Sequence, residues 1–269
     1  MRCKLVEIEI REGENVFIEP LGDLHLGNLG FDEERFLRRV DFIRRTRQKR
    51  FWIGMGDYIE NIRPYANGFV DRRWSTEILL GEPDWDEQIR RFVDMVRPIR
   101  RKCLGLLWGN HEWKTMTSKE FEDRFCKPLK VDFLGSRAYI ILRIKHKKKI
   151  LGEYAIFAIH GSYAGYRLGG AFNRLQDLAR IYDADIFLMG HTHAKGFQPD
   201  IRVSVEFDEN GNPVVVKRPV IYGLTGCFLD PFCLEVDGYM DRKPTPRSVR
   251  LGSITIGIDP WEGKLHGYD

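Results

Sequence analysis

Ile186-Phe187-Leu188-Met189-Gly190-His191-Thr192-His193 is the stretch that decides how this chain folds. Its four apolar residues suit a short buried strand, and the glycine lets the backbone turn into a loop carrying two histidines. The same grammar recurs four times upstream. A strand over Val16–Leu21 runs into Gly22-Asp23-Leu24-His25, and one over 51–55 into Gly56-Asp57-Tyr58-Ile59-Glu60-Asn61. One over 104–108 runs into Gly109-Asn110-His111-Glu112, and one over 150–159 into His160-Gly161. Helix-length patterns lie between them. Asp32 is placed to cap a helix over 32–48, with Phe36, Leu37, Val40, Phe42 and Ile43 near helical spacing. Further helices are predicted over 86–100, 118–125 and 171–181. Residues 138–145 and 150–159 form a hairpin around a lysine run, and 202–207 and 214–224 flank the turn Asp208-Glu209-Asn210-Gly211-Asn212-Pro213. The alternation predicts a layered α/β fold. In such folds ligands collect at the carboxyl ends of strands, so the five loops are expected to converge.

Composition limits the alternatives. The 269 residues are 43% apolar, enough to bury a core, and neither a linker nor a 20- to 50-residue repeat interrupts them. We therefore expect one continuous domain over 1–269. Lys and Arg total 43 against 39 Asp and Glu, a net charge of +4 that permits a phosphate-bearing partner without establishing one. No stretch approaches the ~20 apolar residues of a membrane span, so neither insertion nor export is expected. The five cysteines are odd in number, scattered and free of a Cys-x-x-Cys pair, which argues against a disulfide framework and for a reducing cytoplasm.

The loops bring together two early carboxylates (Asp23 and Asp57), one amide oxygen (Asn110), and five of the seven histidines. Imidazole and carboxylate suit zinc, manganese, iron or nickel, and the lack of cysteine excludes a thiolate site. On an extended segment residues one apart point the same way, so Asp23 with His25, and His191 with His193, would each face one metal centre.

In order and kind, this set resembles the calcineurin-like metallophosphoesterase superfamily, from about Gly22 to His193 and more loosely into the C-terminal strands. The resemblance implies a four-layer fold, a two-sheet β-sandwich flanked by helices. It implies two divalent ions about 3.5–4 Å apart, Mn2+ foremost, with Zn2+, Fe or Ni2+ as alternatives. Asp23, His25, Asp57 and His193 would bind the first, and Asp57 would bridge to a second held by Asn110, His160 and His191. A hydroxide between the metals would attack the phosphorus of a phosphoester, and His111 would stabilise the transition state or protonate the leaving group. Glu60 stands where the family usually has Asp; there the acid supports the catalytic histidine, so Glu60 would orient His111, or else simply cap the loop.

Gly190-His191-Thr192-His193 is absent from the protein serine/threonine phosphatases and resembles the branch of phosphodiesterases and repair nucleases. Asp23-Leu24-His25-Leu26-Gly27 is similar to the opening of those nucleases, although no coiled-coil or ATPase-binding extension accompanies it. The expected function is phosphodiester hydrolysis on a nucleotide or nucleic acid. A phosphomonoesterase is the close rival, and a non-catalytic metal-binding scaffold the more distant one. Basic clusters at Arg44, Arg45, Arg47, Lys49 and Arg50, at Arg72 and Arg73, at Arg100-Arg101-Lys102 and at Lys145 to Lys149 read as solvated faces and a hairpin tip. If two of them lay beside the metal loops they would form a phosphate track. Residues 61–84, with Arg63, Tyr65, Phe69 and Trp74, are long for a loop and read as a substrate-facing cap or an apolar flap; Tyr163, Tyr166 and Arg167 have the same two readings.

Overall fold

Alternate residues of the central strands divide their side chains between two cores, and this division builds the layers. The computed structural model describes residues 1–28, 30–60, 85–162, 167–232 and 249–269. In chain order its strands and helices are β1 (Arg2–Glu9), β2 (Val16–Leu21), α1 (Glu33–Arg45), β3 (Lys49–Gly54), α2 (Trp85–Val96), β4 (Cys103–Leu107), α3 (Asn110–Trp113), α4 (Ser118–Phe121), α5 (Lys127–Leu129), β5 (Phe133–Gly135), β6 (Arg137–His146), β7 (Lys149–Ile159), α6 (Leu168–Leu178), β8 (Ile186–Met189), β9 (Lys195–Phe207), β10 (Pro213–Cys227), β11 (Gly252–Ser253), β12 (Thr255–Asp259) and β13 (Lys264–Tyr268). One sheet runs β1-β6-β7-β8-β10, with β9 and β11 both on β10; the other runs β13-β12-β2-β3-β4-β5.

Ile140, Leu142, Ile156, Ile186, Leu188 and Ile221 of the first sheet pack against Val16, Ile18, Ile53, Leu104, Ile256 and Ile258 of the second. Their outward neighbours pack against helices. Leu21 and Trp52 meet α1 and α2 through Phe36, Val40, Ile89 and Phe92, while Phe157, Phe187 and Tyr222 meet α6 through Ala171 and Leu175. The fold is thus helix, sheet, sheet, helix, the four-layer sandwich that the resemblance implies. Burying each large apolar side chain contributes roughly 1.5–3 kcal/mol. Trp52 is fully enclosed and satisfies its indole by donating to the Ile99 carbonyl at 2.9 Å.

Caps and breakers set the helix ends. Asp32 accepts from the Arg35 N–H at 2.9 Å, as a capping residue should, but α1 stops at Arg45 because Thr46 turns extended. The helix expected over 86–100 is α2 followed by a 3-10 turn, Arg97–Lys102, which begins where Pro98 removes a backbone donor. The 118–125 helix extends through a wider turn into α5. β9 starts at Lys195 and not at 202, since an edge strand tolerates Pro199 and Gly196.

The basic clusters have structural employment. Arg44 and Arg45 pair with Asp41. Arg50 is buried against Glu19, which also takes Arg39 at 3.2 Å and the Thr255 hydroxyl at 3.1 Å. Lys102 donates to the Ile43 carbonyl and Lys145 pairs with Glu7 at 2.6 Å. Arg44 to Arg50 and Arg100 to Lys102 lie at the amino ends of β3 and β4, and the lysine hairpin lies at the amino end of β7. Arg72, Arg73 and the whole 61–84 segment fall outside the described residues, as do Tyr163, Tyr166 and Cys233. The other four cysteines are free thiols.

Candidate metal centre

β2, β3 and β4 are parallel in one sheet, and β7 and β8 are parallel in the other. All five deliver their loops at their carboxyl ends, which meet across the sandwich. The N–H of His191 donates to both oxygens of Asp23 at 3.0 Å, and His160 Nδ1 donates to the Met55 carbonyl at 2.8 Å. Among the described residues, the clusters at Arg44 to Arg50 and Arg100 to Lys102 sit at the far ends of β3 and β4, about 17–20 Å away for strands of this length, and the lysine hairpin sits farther off, at the start of the eleven-residue β7. Among the described residues, no phosphate track built from them borders these loops.

Two glycines permit the approach. Gly56 has φ +94°, and a Cβ there would stand 2.5 Å from the Gly109 nitrogen; a Cβ on Gly109 would stand 2.1 Å from Asp57 Oδ1. Glu112 then ties the two loops together. It is fully buried and accepts four backbone N–H groups, from Gly109 (2.7 Å), Asp57 (3.0 Å), Tyr58 (2.7 Å) and Ile59 (3.3 Å). Sequence reasoning quoted Glu112 without giving it a role. The available signal was an acid three residues after Gly109 at the start of a helix, the spacing of a carboxylate that reaches back to cap.

The reading of Asp23-x-His25 and His191-x-His193 as extended pairs needs correction. Asp23, His25, Asp57, His191 and His193 all have left-handed φ, between 50° and 62°. This conformation costs an L-residue about 1–2 kcal/mol, so the surrounding hydrogen bonds must impose it. The consequence is a grouping that the extended reading did not allow, although the family resemblance implied it. Ligand atoms of Asp23, His25 and His193 gather in one group, and those of Asp57, His160 and His191 in another, so the two histidines of the last loop part company.

Within the first group His25 Nε2 and His193 Nε2 face each other at 3.1 Å, and His193 Nε2 lies 3.6 Å from Asp23 Oδ1. In the second, Asp57 Oδ2 lies 3.3 Å from His160 Nε2, and the Asn110 amide oxygen 3.2 Å from the same nitrogen. Asp57 also stands between the groups, with Oδ2 3.9 Å from His25 Nε2 and Oδ1 accepting the His111 N–H at 3.0 Å. Glu60 departs from its expected place. Its carboxylate lies 3.0 Å from His25 Nδ1, whereas His111 Nδ1 meets the Glu60 backbone carbonyl at 2.5 Å.

These residues fit divalent metal ions. His191 Nδ1 is buried with no hydrogen-bond partner among the described residues, and the donors are nitrogen and oxygen throughout. Titration in the metal-free state points the same way. Burial pulls the His25 imidazolium down, but Glu60, Asp57 and Asp23 together hold it up at about 9. Burial likewise opposes the charged His160, yet Asp57 and Asp23 raise it to about 10. Burial, with His160 beside it, lowers His191 to about 4. Asp23 is raised, chiefly by burial. Asp57 is held well below the usual carboxylate range because His160 and His111 outweigh its burial.

The sign of the pH dependence follows. His25 and His160 have folded pKa values above their unfolded ones, so their contribution is complete below about 6.5 and is lost through about 9 to 10. The raised Asp23 acts in the same direction, and the lowered His191 opposes it only in acid. Metal-free protein is therefore expected to lose melting temperature between about pH 6.5 and 9, and excess divalent metal to abolish that slope by replacing the protons. Thermal unfolding across pH, with and without metal, checks this. A metal-free protein that gains stability over the same interval contradicts it.

A family model for calcineurin-like phosphoesterases matches residues 21–195. No curated protein matches. Among solved structures, Vps29 from Entamoeba histolytica complexed with Zn2+ is 13% identical, with 94% of this chain and 97% of that one covered, at a TM-score of 0.40. A metallophosphoesterase from Sphaerobacter thermophilus is also 13% identical, covering 94% and 87%, at 0.39. A 5'-nucleotidase precursor from Thermus thermophilus is 11% identical, covering 95% and 53%, at 0.40. The family match spans most of the chain and contains all five loops; the chain belongs to the calcineurin-like phosphoesterases and is a metal-dependent phosphoric ester hydrolase.

Proposed function

We propose that the chain is a phosphodiesterase that uses two divalent ions and acts on a diester of nucleotide size. Asp23, His25 and His193 would hold one ion, and His160, His191 and Asn110 the other, with Asp57 shared between them. Divalent cations bound there lower the pKa of water and offset the charge of the phosphoryl oxygens. His160 is oriented for this duty, since its Nδ1 must carry the proton that it donates to the Met55 carbonyl, which leaves the Nε2 lone pair for a cation.

His111 is the proton carrier. Its Nδ1 faces a carbonyl and is therefore the protonated nitrogen, so Nε2 is the one that takes up or releases a proton. The ring stands edge-on to His25 at 4.6 Å, at the rim of the ligand groups, where it can protonate a departing oxygen.

One observation favours a diester. The loop Gly190-His191-Thr192-His193 has the ending of the phosphodiesterase branch it resembles, and the described groups acting most strongly on Asp23, His25, Asp57, His160 and His191 are one another, Glu60 and His111. The remoteness of the clusters at Arg44 to Arg50, Arg100 to Lys102 and Lys145 to Lys149 argues for a small substrate over a long polynucleotide.

The test uses metal-loaded protein with bis-p-nitrophenyl phosphate, p-nitrophenyl phosphate and labelled single-stranded DNA. The diester is expected to turn over faster than the monoester, and the DNA to show no advantage from length. Hydrolysis of the monoester alone would sink the diesterase reading, and no hydrolysis with any divalent metal would favour a scaffold.

A further inference from the structure

Glu60 is almost fully buried beside His25 of the first ligand group, and the backbone fixes where it stands. A short parallel bridge joins Leu26 to Ile59: the Leu26 N–H donates to the Tyr58 carbonyl at 3.0 Å, and the Glu60 N–H to the Leu26 carbonyl at 2.8 Å. His25 and Glu60 therefore flank one bridge, on neighbouring strands of chain. Asn28 Nδ2 donates to Glu60 Oε2 at 3.4 Å and steadies the carboxylate. The 3.0 Å contact to His25 Nδ1 is a close charge pair more than a straight hydrogen bond.

We infer that Glu60 is a positioning residue for His25: its carboxylate keeps the proton on Nδ1 and turns Nε2 toward Asp23 and His193, while only its backbone carbonyl serves His111. This rests on the two-ion reading above. Its physical basis is general, because a carboxylate on the far nitrogen of a ligating imidazole fixes tautomer and ring angle and makes the ligand more basic. The length of the side chain matters here. An aspartate would be one methylene shorter and would fall short of Nδ1 from the same backbone position.

The test is calorimetric titration of metal-free protein with Mn2+ and with Zn2+, paired with 15N spectra of the histidines. Glu60→Ala is expected to weaken one of two binding steps by about 10- to 100-fold, the usual loss for such an outer partner. Glu60→Gln, which can still accept from Nδ1, should lose less, and Glu60→Asp about as much as Ala. In a His25→Ala background, Glu60→Ala should cost nothing further. In the Zn2+-loaded protein the His25 resonances should show Nε2 as the bound nitrogen with the proton on Nδ1 in the wild type, and lose that pattern in Glu60→Ala.

Wild-type affinity in Glu60→Ala overturns the proposal, and so does an equal loss in the His25→Ala background. Turnover reduced as in His111→Ala with both binding steps intact would assign Glu60 to His111 instead. Uptake of three equivalents by the wild type and two by Glu60→Ala would mean that His25, Glu60 and His111 themselves hold a cation, which also overturns it. A wild type that takes up no metal removes the function and this proposal together, whereas normal wild-type uptake with an unaffected Glu60→Ala removes this proposal alone.

Discussion

Asp57→Asn is expected to reduce phosphoester turnover by more than about 100-fold, since loss of an outer partner alone costs up to that much. Asp57 is 1% exposed, and its Oδ2 stands near nitrogens of both ligand groups. The amide keeps the shape, and its oxygen can still accept the His111 N–H, but the negative charge that both groups share is gone. Histidines around Asp57 hold it ionised, so the charge is present throughout the neutral range. The measurement is kcat on a diester at saturating metal, with circular dichroism to verify the fold. A variant within a few-fold of wild type would remove Asp57 from the centre of the site.

Glu112→Ala should have the largest effect on stability. Four buried N–H groups from two loops would lose their acceptor at once, and each unsatisfied donor costs about 1–3 kcal/mol before water enters the gap. Allowing for that relief, we expect a loss of about 4 kcal/mol. For a chain of this size that corresponds to a fall in melting temperature of ~10 °C. Glu112→Gln should recover part of it, because the amide keeps one acceptor and opposes its NH2 to N–H groups on the other side. Urea unfolding of both variants without metal measures the effect. A loss below about 1 kcal/mol would mean that the loops find other partners.

The strands that carry the site were the legible ones. Ile186–Met189 is buried on both faces and reads as an unbroken apolar run, and Val16–Leu21 is largely buried and apolar apart from Glu19; each is closed by a glycine. β1 was missed because it is an edge strand with mostly exposed residues, and β12 because it pairs with β2 from the opposite end of the chain. The identity of the polar residues in the loops was readable from order and spacing. Their grouping was not readable from spacing, which paired His191 with His193; only the family resemblance separated them. Side-chain direction depends on φ, and nothing local in His191-Thr192-His193 announces two left-handed residues imposed by contacts with Asp23 and its neighbours. Glu60 differs for a similar reason, since the Leu26–Ile59 bridge that sets its carboxylate beside His25 joins residues far apart in sequence.

The most direct measurement of a two-ion hydrolytic centre is stoichiometric. Metal-free protein is titrated with Mn2+ while bound metal and diester hydrolysis are followed together. Activity is expected to be negligible without metal and to reach its plateau at two equivalents per chain. Full hydrolysis without metal, or a plateau at one equivalent, would contradict it.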